Sequence, residues 1–219
     1  MNLTMSPPAP TVKSKRRYDS ERRREQAHRT RERIIEVAER RFLHHGYAAT
    51  TIASVAADAG VSADTVYKGF GGKAGLVRAI RDQALEGEGP RPAEERSDEL
   101  QQSARDARTI VEGWGRLTAE VVPRVAPILL LMRDAAAVDA DAARLRDEMD
   151  ADRLRRMTDN ARRLRATGAV RPGITLAQTA DVLWTYSAPE LYELLVLRRG
   201  WSRRRFGRFV GDAIVDALL

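Results

Sequence analysis

The chain has 219 residues, 43% hydrophobic and 32% charged, with a formal net charge of +7, enough length for one or two domains with proper cores and too much apolar content for a wholly disordered chain. It contains no cysteine, which excludes disulfides and thiolate metal sites and leads us to expect a reducing, cytoplasmic setting. The first ten residues have no signal-peptide core, and the densest apolar run, Ile128 to Met132, is far too short to span a bilayer.

Only 5% of residues are aromatic, and Ala, Leu, Arg, Asp and Glu dominate, which favours helix over sheet. Positive charge gathers at the start: residues 1–45 hold 12 Lys/Arg against 6 Asp/Glu, whereas residues 91–219 hold 22 against 20. Residues 1–19, with Pro7, Pro8 and Pro10 before KSKRR, read as a disordered basic arm. A helix is expected over 20–45, where Ile34, Val37, Ala38, Arg41 and Phe42 keep one face and Gly46 ends the run. Two short helices in 50–70 and a third over 73–86 follow, and EGEGPRP at 86–92 marks a boundary.

Beyond that boundary the period stays helical. Leu100, Ala104, Ala107, Val111, Trp114, Leu117 and Val121 predict one long amphipathic helix, interrupted by Pro123 and Pro127 ahead of ILLLM. A further helix is expected at about 141–166, striped by Leu154, Met157, Ala161 and Leu164, before a loop at 168–175. Thr175 and Gln178 have capping-box spacing. Gly200 stops the next helix, and Ser202 caps a last one that runs to Leu219. The expected fold is all-α: a three-helix domain with a helix-turn-helix over 20–86, and a larger helical domain over 87–219.

The stretch TTIASVAADAGVSADTVYKGF, residues 50–70, carries the chemistry. Thr50 or Thr51 can cap a helix whose inward residues are Ile52, Val55 and Ala56. Gly60 supplies a tight turn, and Ser62 caps a second helix whose Val66 and Phe70 point back at the first. Small residues at Ala56 and Ala59 let the two helices cross closely. That shape exposes the second helix to a major groove about 12 Å wide. Thr50, Thr51, Ser62, Thr65, Tyr67, Lys68 and Lys73 are hydroxyl and ammonium donors suited to phosphate oxygens, and Lys73 opens a helix whose N-terminus also favours an anion.

These residues resemble the N-terminal DNA-binding region of the tetracycline-repressor (TetR) family of bacterial regulators. The family pattern F-x-x-x-G-Y, then TT, AGVS, T-x-Y-x-x-F and Lys, stands here as Phe42 to Tyr47, Thr50-Thr51, Ala59 to Ser62, Thr65, Tyr67, Phe70 and Lys73. Val55-Ala56 stands where Ile-Ala is usual, and Gly69, Gly71 and Gly72 surround Phe70, so a looser entry to the next helix is expected. The resemblance implies an Ω-shaped homodimer with two recognition helices, a palindromic double-stranded DNA operator, and an unknown small-molecule effector held in the C-terminal half. By position it implies phosphate contacts from Thr51, Thr65, Tyr67, Lys68 and Lys73, with Ala63 and Asp64 facing bases. Asp64 could accept from a cytosine or merely favour the helix N-terminus.

Lys13, Lys15, Arg16 and Arg17 could track the DNA backbone or enter a minor groove, while alternating Arg and Glu at 21–33 could equally be an ion-paired helix surface. In the C-terminal half, Trp114, Met132 and Trp184 are candidate ligand-binding residues, and the segment 184–199 with the final helix is the candidate dimer surface. The histidines His28, His44 and His45 lack metal-ligand spacing, and no catalytic motif is present, so neither enzyme activity nor cofactor or metal is expected. A sequence-independent architectural or RNA-binding role would use the basic start alone. It would need neither the helix-turn-helix nor the near-neutral second half. The reading is a ligand-responsive transcriptional regulator, in habit a repressor.

Overall fold

Local signals and burial together set the element order. The computed structural model describes residues 12–89 and 91–219, with side chains from residue 21 onward. Helix α1 spans Val12–Ala49, α2 Ile52–Ala59, α3 Ala63–Phe70 and α4 Lys73–Glu86. Then come α5 (Ala93–Ser103), α6 (Ala107–Ala135), α7 (Ala140–Ala166) and α8 (Leu176–Tyr186). Helix α9 (Pro189–Tyr192) runs into a π-helical segment at Glu193–Arg198, and α10 (Arg203–Leu218) closes the chain. No strand occurs among the described residues, so the fold is all-α.

Capping chemistry places several boundaries where the sequence puts them. The Thr175 hydroxyl accepts from the Gln178 N–H at 3.2 Å while Gln178 accepts from the Thr175 N–H at 2.9 Å, closing the capping box of α8. Ser202 accepts from Arg205 N–H and starts α10. Elsewhere the structure departs from expectation. Residues 12–19, expected in an irregular arm, have helical backbone, since no glycine or proline interrupts the chain between Val12 and Gly46. Residues 1–11, and the side chains of Lys13, Lys15, Arg16 and Arg17, lie outside the described ones.

The single helix expected across 100–121 is two. Asp106 caps α6 by accepting from the Thr109 N–H at 2.8 Å, and Ala104 before it is extended. The local cap wins over the continuing apolar period. Folding α5 back lets Leu100 occupy the space over Gly113, where an added Cβ would come within 2.1 Å of it. Conversely, Pro123 and Pro127 do not interrupt α6. Each proline costs about 3 kcal/mol in a helix interior. Val122, Val125, Ile128 and Met132, all buried around them, contribute about 1.5–3 kcal/mol apiece. Burial outweighs the two defects.

Two apolar clusters result. One joins Ile34, Phe42, Val55, Val66, Leu76 and Ile80 of α1–α4 to Val125, Ile128 and Met132 of α6 and Leu145 and Met149 of α7. The other lies between α6 and the C-terminal helices, around Trp114, Leu164, Tyr192, Phe206 and Ile214. Helix α6 runs through both and meets α10 backbone to backbone: a Cβ at Gly115 would lie 2.5 Å from the Gly207 carbonyl oxygen. Among the described residues no helix is long and apolar enough to cross a membrane.

Because Met132 is fully buried in the cluster shared by α1–α4 and α6–α7, its truncation acts on both halves. We expect Met132→Ala to cost about 2–5 kcal/mol. Urea unfolding followed by far-UV circular dichroism and by tryptophan fluorescence should shift together, in one transition.

Candidate nucleic-acid interface

Helix α2 begins at Thr51, whose hydroxyl accepts from the Ser54 N–H at 3.1 Å while Ser54 Oγ accepts from the Thr51 N–H at 3.2 Å. Its inward face buries Ile52, Val55, Ala56 and Ala59. Gly60, at φ 67°, makes the left-handed turn out of α2. Ser62 then caps α3 by accepting from the Thr65 N–H, and the two hydroxyls lie 2.8 Å apart. Only Val66 of α3 is fully buried. Ala63 and Phe70 are half-buried against the core, and the other residues are exposed, Tyr67 by 53%.

The junction with α4 is tighter than the sequence suggests. Gly71 at φ 73° ends α3, Gly72 follows at φ 132°, and neither conformation suits a residue with a Cβ. At Gly75 a Cβ would fall 1.6 Å from the Phe70 carbonyl oxygen, so α4 rests directly on the end of α3. Gly71 and Gly72 thus make the turn, and the close approach is set at Gly75. No side chain caps α4, which leaves its first N–H groups without a side-chain partner at a helix N-terminus that favours anions.

The expected contact residues divide on inspection. Thr51, Ser62, Thr65, Tyr67 and Lys68 are exposed on or beside α3. Thr50 is not: it is fully buried and its hydroxyl donates to the Gly46 carbonyl at 2.9 Å, a bond that holds the entry to α2 instead of reaching a phosphate. Ala63 is half-buried against the core. Asp64 lies 2.7 Å from the Lys68 ammonium, one helical turn on. Lys73 is half-buried, its ammonium 4.2 Å from the centre of the Tyr47 ring, and that buried ring stacks on Phe42.

Two arginines of α1 support this arrangement: Arg41, on the face the sequence marks as core-facing, and Arg31, in the Arg/Glu run of 21–33. Arg31 of α1 donates to the Gly69 carbonyl at 3.2 Å and lies 4.5 Å over the Phe70 ring, tying α1 to the end of α3. Arg41 donates to Asp58 at 2.6 Å, tying α1 to α2. That hydrogen bond holds the Asp58 carboxyl below its usual range, while burial pushes the Tyr47 hydroxyl up. The signal for Arg31 was its register, one turn before Ile34 and Ile35 on the core-facing side.

The candidate ligand residues Trp114 and Met132 lie in different cores. Trp114 is buried and its indole N–H donates to Ser97 at 3.0 Å, linking α6 to α5. Met132, eighteen residues further along the same helix, is about 27 Å away in the other core. Trp184 is half-buried on α8 beneath the Arg153 guanidinium, 4.4 Å from its ring. A groove of about 450 Å³ between α7 and α8 is lined by Leu154, Thr158, Leu176, Ala177, Ala180 and Asp181, and by none of the three.

A short helix-turn-helix with an exposed second helix, seated on a larger all-α body, is a shape that can present one helix to a DNA groove. Residues 34–80 match the model of a family described as bacterial regulatory proteins, tetR family. Over 65 residues the chain is 46% identical to the HTH-type transcriptional regulator TtgR of Pseudomonas putida. That stretch is 30% of this chain and 31% of the relative, so the match spans about a third of the length of that curated protein. Native NalD, the secondary repressor of the MexAB-OprM multidrug efflux pump in Pseudomonas aeruginosa, shares the fold with a TM-score of 0.70 at 18% identity, over 89% of this chain and 98% of that one. SmeT of Stenotrophomonas maltophilia, in its complex with triclosan, does so with a TM-score of 0.67 at 24% identity, over 87% and 91%. The likeness to the tetR family of bacterial regulatory proteins is thus carried by the helix-turn-helix region, residues 34–80.

The close seat of α4 on α3 yields a direct test. Gly75→Ala should lower thermal stability by about 3 kcal/mol, because the clash is with backbone and not with a movable side chain. Gly69→Ala, with nothing within 4 Å of the new methyl, should be close to neutral in the same melt.

Proposed function

We propose that the protein is a ligand-responsive repressor that binds a palindromic operator as a homodimer, with residues 20–86 as the DNA-binding domain and 87–219 as the effector-binding and dimerisation domain. The observation that carries this reading is the exposed α3 with Tyr67 and Lys68 on its surface and the uncapped start of α4 beside it. Thr51, Ser62, Thr65, Tyr67, Lys68 and Lys73 contact phosphates, and Ala63 and Asp64 lie nearest the bases. Engaging a base through Asp64 requires its pair with Lys68 to open. Lys13, Lys15, Arg16 and Arg17 add phosphate contacts from the start of α1.

Dimerisation is supported by large apolar side chains left exposed near the C-terminus: Leu194 at 49%, Leu197 at 59% and Phe209 at 37%. Effector response is supported by two relatives in fold, one a multidrug-efflux repressor and one complexed with triclosan, which favour an apolar small molecule. A route from effector to DNA is available through α4. Arg78 donates to both Glu148 oxygens, at 2.7 and 2.6 Å, and Arg81 donates to Asp152 at 2.8 Å, so α4 is fastened to α7. An effector that favours a different α7 position shifts α4, changes the separation of the two recognition helices and lowers operator affinity.

The deciding experiment is selection of duplex DNA from a random pool at about 150 mM salt, a regime in which non-specific binding is weakened. The wild type should enrich an inverted repeat, and Tyr67→Ala/Lys73→Ala should enrich none. Equal, sequence-blind binding by both proteins would sink the operator reading. Separately, Leu197→Glu should yield monomers in sedimentation velocity and lose the inverted repeat with them.

A further inference from the structure

Every buried residue described in α1 lies at or after Ile34, yet the helix starts at Val12, so residues 12–33 extend about 30 Å beyond the core they would need in order to bury anything. From Glu21 to Arg29 every residue is exposed. Such a projection is stable only if it is a good helix former or has a partner, and its charges are sorted in a way that points to the partner.

The face on which Ile34, Ala38 and Phe42 are buried continues outward, at intervals of three and four, through Arg31, Ala27 and Arg24. The sequence carries the same register on to Ser20, Arg17 and Lys13. No acidic residue falls on it. The described acids lie about a quarter-turn round the helix at Glu21, Glu25 and Glu32, where Glu25 pairs with Arg29 at 2.6 Å and Glu32 with His28 at 3.3 Å. An ion-paired surface, the alternative for 21–33, therefore does not take in the described part of this stripe. On the stripe itself Arg24 makes no hydrogen bond or ion pair among the described residues.

Position settles what such a stripe meets. Arg31, its inner end, sits on the Gly69 carbonyl and the Phe70 ring, in a cleft also lined by Tyr67 and Lys68 of α3. The stripe thus leaves the protein beside the C-terminal end of the exposed helix, and Arg24 lies about 10 Å further out along the axis. We infer that the projecting half of α1 is a rigid basic rail that grips the phosphate backbone outside the operator, with Arg24 as its first flank contact and Arg31 as the positioning residue that fixes its angle to α3. The inference rests on the operator reading. A folded helix cannot thread a minor groove as an extended arm does, so the rail adds affinity and footprint length without adding sequence preference.

The experiment measures binding to the selected site as a function of salt, on one duplex trimmed to the site and on another with ten further base pairs on each side. On the long duplex Arg24→Ala should lower the log–log salt slope by about 1.8 per dimer, about 0.9 for each copy. Arg24→Lys should restore it, and the difference should vanish on the trimmed duplex. Hydroxyl-radical footprints should shrink at both outer edges. Alanine favours helix at this exposed position, so circular dichroism should be unchanged. Equal slopes for wild type and Arg24→Ala on the long duplex overturn the rail. So does an equal loss on the trimmed duplex, which would place Arg24 on the operator itself. A wild type that selects no site overturns the operator reading instead, a result these slopes cannot imitate.

Discussion

One apolar cluster governs the geometry of the molecule. Phe42 of α1, Leu76 and Ile80 of α4, Ile128 and Met132 of α6, and Leu145 of α7 are buried in a single body, so the helix-turn-helix has no core separate from the domain behind it. The 8-residue helices α2 and α3 are too short to hold themselves in water. Their direction is inherited from α1 and α4, which are packed on α6. Close-packed side chains connect α6 and α7 to α3 through α4, and Arg78 and Arg81 fasten α4 to α7.

Helix α3 is held from outside itself. Only Val66 is fully buried, with Ala63 and Phe70 half-buried beside it, so apolar burial alone does not fix its angle. The angle comes also from backbone proximity at Gly75, from the positive-φ turns at Gly60, Gly71 and Gly72, and from Arg31 across the Gly69–Phe70 end. That economy suits a surface meant to be read by another molecule. Polar side chains stay exposed, and the supporting contacts sit behind them. It also makes α1 more than a core helix: its inner half packs the domain, and its outer half carries charge away from the same face.

The two halves differ in how charge is used. In the larger domain Arg and Asp/Glu are matched across helices, as at Arg96–Glu120 and Arg133–Glu193, so the basic and acidic side chains cancel locally. In the outer half of α1 the Glu25–Arg29 and Glu32–His28 pairs lie off the stripe that carries Arg24 and Arg31. Net charge alone does not separate these cases; the helical register does.

Much of this was legible before any coordinates. Thr51, Ser62, Thr175 and Ser202 cap helices, and Gly60 and Gly200 end them, because a cap or a left-handed turn is decided within four residues of chain. The helix-turn-helix and its likeness to the tetR family followed from that same local chemistry. What only the tertiary structure decided are the matters that depend on what lies across the core. Thr50 looks like its neighbour Thr51 in sequence and is turned inward by its bond to Gly46. Pro123 and Pro127 look like a stop and are overruled by the apolar residues buried around them, while the smooth stripe through Ala104 is broken by the cap at Asp106. Met132, a candidate pocket residue in the sequence, is buried in the cluster that α1–α4 share with α6 and α7. Periodicity tells which face of a helix is buried; it does not carry the distance to the partner that buries it.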